Sequence, residues 1–118
     1  MIEQQQSTTY DKMGDYIEAI FDIFKTINST AKNNNDTKLG LISLVIYNYI
    51  KKLSESNKIK LNYDKEIDKI NLVPIFEYMN YKHIELYDFQ KISEDDIDSN
   101  NDEDIERFVL THIYYITQ

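Results

Sequence analysis

The chain has 118 residues, 42% of them hydrophobic, enough for one domain with a real core and too apolar for wholesale disorder. It contains no cysteine, which excludes a disulfide framework and thiolate metal sites and suits a reducing compartment. A net charge of −8, with no dominant basic stripe, argues against direct nucleic-acid binding, which rests on neutralising phosphates.

The opening, "MIEQQQSTTYDK", has neither a basic n-region nor an apolar h-region, so no signal peptide is visible. Residues 1–8 are expected to be disordered. A first helix follows, in which Met13, Ile17, Ile20, Phe24 and Ile27 recur at three- and four-residue steps, widened by Tyr16, Phe21 and Ile23. Asp15, Glu18, Asp22 and Lys25 are expected to face away, with Thr8 or Thr9 as the cap and Asp11 in the first turn. The stretch "STAKNNNDT", residues 29–37, breaks the pattern and reads as a polar loop.

A second helix is expected from Thr37 to about Ser56, capped by Asp36 or Thr37. Leu41, Ile42, Val45, Ile46, Tyr49, Ile50 and Leu53 form its broad apolar face, which Leu44 and Tyr47 extend. Such a face marks the central element of the core, antiparallel to the first helix. The apolar run 39–50 is shorter than the ~18–20 residues that span a bilayer, so no membrane association is expected.

The middle is weaker in pattern. "KIKLNY" alternates Ile59, Leu61 and Tyr63, and "HIELYDF" alternates in part through Ile84 and Leu86, which admits a small two-stranded ribbon. "DKEIDKI" admits a helical turn or two. "NLVPIFEYMNY" reads as a short helix with Pro74 in its first turn. The last segment, "DEDIERFVLTHIYYITQ", places Ile105, Phe108, Val109, His112, Ile113 and Ile116 on one face behind an acidic start that the helix dipole favours. Helix is the expectation there, with strand as the alternative for its β-branched, aromatic tail. The expected fold class is therefore all-α: a single domain over 1–118, with three main amphipathic helices and one or two short ones. The alternative is α+β with the small ribbon.

The charge is concentrated in one place. Glu94, Asp95, Asp96, Asp98, Asp102, Glu103, Asp104 and Glu106 lie in a run without a base, leaving 13 acids elsewhere against 13 Lys+Arg. Residues 93–101 are expected to form an acidic loop. Read as a calcium-binding loop from Asp96, the run offers Asp98 and Asn100 as further ligands. Asn101 then falls at the glycine position, and Arg107 falls where the bidentate glutamate belongs. No metal is expected there.

Catalytic candidates are few. Without cysteine, a nucleophile would be Ser or Thr activated by a base, usually histidine. His112 lies on the apolar stripe and reads as a core or edge histidine. His83 has Glu85 and Asp88 nearby but no second histidine at ligand spacing. Gly14 and Gly40 stand alone, so no phosphate-cradling loop can be built. Neither catalytic residues nor a cofactor are expected, and the chain reads as a non-enzyme.

The 10 tyrosines are the more informative surplus, because several fall outside the apolar stripes. Tyrosines at such positions are core-edge residues or, where exposed, anchors at a binding surface. The expected function is a non-enzymatic protein–protein interaction module that meets a basic surface on a partner protein. A small inhibitor or antagonist of viral, phage or immunity type, cytoplasmic in its own cell or an infected host, fits the AT-rich residue bias toward Ile, Asn, Lys and Tyr. The partner-binding candidates are Glu94, Asp95, Asp96, Asp98, Asp102, Glu103 and Asp104, with Tyr78, Tyr81 and Tyr87. One alternative is nucleic-acid mimicry, which needs Asp15, Glu18 and Asp22 beside the acidic run. The other is a homo-oligomeric structural or regulatory protein, which needs an apolar patch left on the long helices.

Overall fold

The computed structural model describes residues 10–67, 69–92 and 100–117. Four helices are present among them and no strand: α1 (Met13–Asn34), α2 (Thr37–Ser56), α3 (Val73–Lys82) and α4 (Asp102–Ile116). The class is all-α, with three long helices and one short. No helix among the described residues is long and apolar enough to cross a membrane. Expectations for 1–8, for the caps Thr8 and Thr9, and for Glu94, Asp95, Asp96 and Asp98 lie outside the described residues.

α1 is longer than its apolar pattern suggests. The expected loop at Ser29 is helical through Asn34, because Ala31 repeats the stripe four residues after Ile27 and both are buried. The helix ends where Asn35 turns left-handed at φ 52° and Asp36 donates its N–H to the Ala31 carbonyl at 2.9 Å. Asp36 then caps α2 by accepting from the Leu39 N–H at 3.0 Å. Two residues thus close one helix and open the next, which makes the pair antiparallel as expected. At the other end α1 begins after Lys12, so Asp15 rather than Asp11 is the acid of its first turn.

The core is one cluster fed by all four helices. Tyr16, Ile17, Ile20 and Ile23 of α1, Ile46 and Ile50 of α2, Ile75 of α3 and Val109, Leu110 and Ile113 of α4 are essentially solvent-free. Each such aliphatic side chain contributes about 1.5–3 kcal/mol by leaving water. The expected face of α2 is too broad. Leu41 is 50% and Leu44 54% exposed, whereas Ser43 and Ser54 are buried with their hydroxyls donating to the Gly40 and Lys51 carbonyls. On α4, Ile116 is exposed, while Leu110 and Thr111, outside the expected stripe, are fully buried.

Two connectors cover the bundle without forming the ribbon. Ile59, Leu61, Ile70 and Leu72 from the first, and Ile84 and Leu86 from the second, each pack on the core. Their alternation records one side of an extended chain lying on helices, not a ladder between strands. No helical turn forms at the described residues of 64–70. α3 starts with Pro74 in its first turn, as expected, and ends at His83 with φ 55°. α4 is capped by Asn101, whose side chain accepts from the Glu103 and Asp104 N–H groups, and its acids Asp102, Glu103 and Asp104 sit at the positive end of the dipole.

Candidate functional site

α2 and α4 run antiparallel, with Lys52 against Asp102 (2.6 Å) and Tyr49 against Glu106 one turn on (3.0 Å). α3 brings Tyr78 to the same carboxylate. Its hydroxyl donates to Oε2 of Glu106 at 2.7 Å, the atom that Tyr49 also reaches. Behind them the Tyr16 hydroxyl of α1 lies 2.7 Å from that of Tyr49. Tyr49 has one hydroxyl proton and directs it to Glu106, so Tyr16 is the donor between the two phenols. The Tyr16 ring also stacks on Tyr78, with centroids 3.8 Å apart. α2 and α3 therefore meet on one carboxylate oxygen of α4, and α1 joins them through Tyr49.

Burial pushes the phenols of Tyr16, Tyr49 and Tyr78 well above the usual tyrosine range, and the charge of Glu106 adds to each shift. They remain neutral donors at any physiological pH. Glu106 accepts on Oε2 alone, and its Oε1 has no hydrogen-bond partner among the described residues.

A groove of about 570 Å³ opens over this cluster between α2, α3 and α4. Val45, Leu53, Ile105 and Phe108 give it apolar walls, and Tyr49, Tyr78 and Glu106 also line it. Lys52, Lys82, Asp102 and Glu103 line it as well. The exposed first turn of α4 thus borders a concave, largely apolar surface.

The tyrosine candidates separate cleanly. Tyr78 is only 3% exposed and serves the interior, so it cannot be the surface anchor expected of it. Tyr87 is half-buried and pins the second connector to α4. Its backbone N–H donates to Thr111 Oγ1 and its hydroxyl to Asp104 Oδ1, while Arg107 lies 3.8 Å over its ring. Tyr81 is 37% exposed, beside Tyr10 on the surface of α3. Of the acids, Asp102 and Glu103 are exposed and Asp104 is half-buried.

The acids of α1 do not form an array. Glu18 and Asp22 both converge on Lys65 of the first connector, at 2.7 and 3.3 Å. Asp22, expected to face solvent, is 9% exposed because that connector lies over it. His112 is buried, with Nδ1–H donating to the Phe108 carbonyl at 3.0 Å. Arg107 donates from Nε to the Glu85 carbonyl at 2.8 Å. No group of three or more His, Asp or Glu side chains among the described residues is placed to hold a metal ion.

Glu106, Tyr49 and Tyr16 were not among the sequence candidates. The signal was present, since Glu106 precedes Val109, Leu110 and Ile113 by three, four and seven residues and so occupies their buried stripe. An acid in register with a buried stripe needs internal donors, and the surplus tyrosines supply them. No protein-family model, curated protein or solved structure matches the chain significantly.

Proposed function

We propose that this protein is a docking module that binds a partner protein through a basic surface, and that it acts by occupying that surface as a small antagonist. The observation that carries the reading is the junction of two features in one place. The exposed acids of the first α4 turn border a groove with apolar walls. Charge of one sign steers the encounter, and an adjoining apolar concavity supplies the contact that steering alone does not. Tyr81, on α3, is the most exposed of the three tyrosine candidates. Glu94, Asp95, Asp96 and Asp98 precede that turn in the sequence and add to its negative charge. The proposed setting is the cytoplasm, of the producing cell or of an infected host.

Docking is favoured over nucleic-acid mimicry by Lys65, which draws Glu18 and Asp22 into ion pairs instead of leaving them as a phosphate-like row. The test is capture from a lysate on immobilised protein, comparing wild type with the double variant Asp102→Asn, Glu103→Gln. A specifically retained protein should bind the variant more weakly and with a shallower salt dependence. Retention and salt dependence that do not change remove the acidic end of α4 from the reading.

A further inference from the structure

We infer that the groove between α2 and α4 receives one basic side chain of the partner, a lysine ammonium or arginine guanidinium, with Oε1 of Glu106 as its acceptor. The inference rests on the docking reading above and gives that surface its chemistry.

Two inward carboxylates distinguish themselves in this fold. Asp22 has an internal cation, with Lys65 Nζ 3.3 Å from its Oδ2. Glu106 has none among the described residues. Its only partners are the phenols of Tyr49 and Tyr78, which burial keeps neutral, so they orient the carboxylate without balancing its charge. Nearby Lys52 is already paired with Asp102 at 2.6 Å. Lys82 lines the groove too, but neither lysine is within ion-pair distance of Glu106, which leaves Oε1 open to a cation brought by a ligand.

The shape fits the same ligand. Long basic side chains lay a three- or four-carbon stem along apolar surface and hold the charged head in polar contact. Val45, Leu53, Ile105 and Phe108 offer such a surface, and the carboxylate lies among them. Two phenol donors on Oε2 fix the carboxylate rotamer and leave Oε1 for the ligand, so the acceptor is positioned before the cation arrives.

The test uses the full chain, isotope-labelled for NMR, titrated with butylguanidinium, butylammonium and, as the uncharged analogue, n-butanol. The two cations should shift the amides of 49–53 and 103–108 saturably, and butanol should bind at least about tenfold more weakly, as expected for loss of a charge-assisted hydrogen bond. Glu106→Gln, which keeps volume and an acceptor, should weaken the cations by a similar factor. Asn48→Trp crowds the groove from an exposed position without changing charge, and it should abolish the shifts while the helical circular-dichroism spectrum stays intact.

Equal binding of butanol and the cations overturns the inference, as do cation shifts confined to 102–104 or shifts that survive Asn48→Trp. These titrations need no partner. Failure here with charge-sensitive capture intact removes the groove and leaves docking standing. Saturable cation binding without any charge-sensitive capture overturns docking, and with it the assignment of the cation to a protein.

Discussion

The Tyr78 hydroxyl donates to Glu106 Oε2 at 2.7 Å and so joins α3, the shortest helix, to α4. The bond is charge-assisted, and the phenol that donates it is buried. Removing one side leaves the other with an unmet requirement.

Tyr78→Phe should therefore destabilise the fold by about 1–3 kcal/mol, the range for deleting a buried hydrogen bond to a charged group. Tyr49→Phe should behave similarly, since it also leaves Tyr16 without its acceptor. In a double-mutant cycle with Glu106→Gln, read by urea denaturation, the effects should be strongly non-additive. Simple additivity would mean that the phenols and the carboxylate do not act together.

The same phenols predict a weakness toward alkali. Their folded pKa values lie above the unfolded value of about 10. The folded chain then holds protons that the unfolded chain releases, so stability is intact below pH ~10 and falls as pH rises past it. Each tyrosine contributes a slope of up to ~1.4 kcal/mol per pH unit in that window. Urea denaturation followed through this range should show the decline, and Tyr78→Phe should flatten it.

Leu44 and Ile46 look alike in the sequence and differ in the fold. Ile46 is solvent-free and Leu44 is 54% exposed. Ile46→Ala should cost about 2–5 kcal/mol by leaving a cavity, whereas Leu44→Ala should fall within about 0.5 kcal/mol of wild type. Comparable losses at both positions would show that α2 turns a different face to the core.

Two helices, α1 and α3, end on residues other than glycine at positive φ, Asn35 and His83, and Lys58 takes the same conformation just past the end of α2. A left-handed conformation costs an ordinary L-residue roughly 1–2 kcal/mol, partly offset because glycine loses more freedom on folding. Lys58 is exposed, so Lys58→Gly should stabilise the protein by about 0.5–1 kcal/mol. Thermal or urea midpoints would register the gain, and a loss would mean that the lysine side chain contributes a contact of its own.

Much of the architecture was legible because three helices carry strong apolar periodicity and clear start signals. Asp36, Pro74 and the acids ahead of Ile105 mark real beginnings. The end of α1 was not legible, since Asn-rich composition hid the one buried residue, Ala31, that extends it. Leu41 and Leu44 fit the apolar periodicity of α2 yet stay exposed, because coverage depends on the neighbours that the chain supplies. The candidate site was half legible. The acidic start of α4 was visible as charge, but the carboxylate that binds the helices together was one letter within that run. Its register with Val109, Leu110 and Ile113 sets Glu106 apart from its neighbours, and the packing of α2 and α3 against α4 supplies the phenols that meet it.

The hydroxyl chain from Tyr16 through Tyr49 to Glu106, met there by Tyr78, has a direction, because Tyr16 donates to Tyr49 while Tyr49 and Tyr78 donate to Glu106 Oε2. Hydroxyl protons held this way exchange slowly with solvent and resonate downfield of ordinary phenols. Three such signals would report on three contacts, α1 with α2 through Tyr16, and α2 and α3 each with α4 through Tyr49 and Tyr78. The protein thus carries its own spectroscopic gauge, by which displacement of any one helix could be told from displacement of the others without an added label.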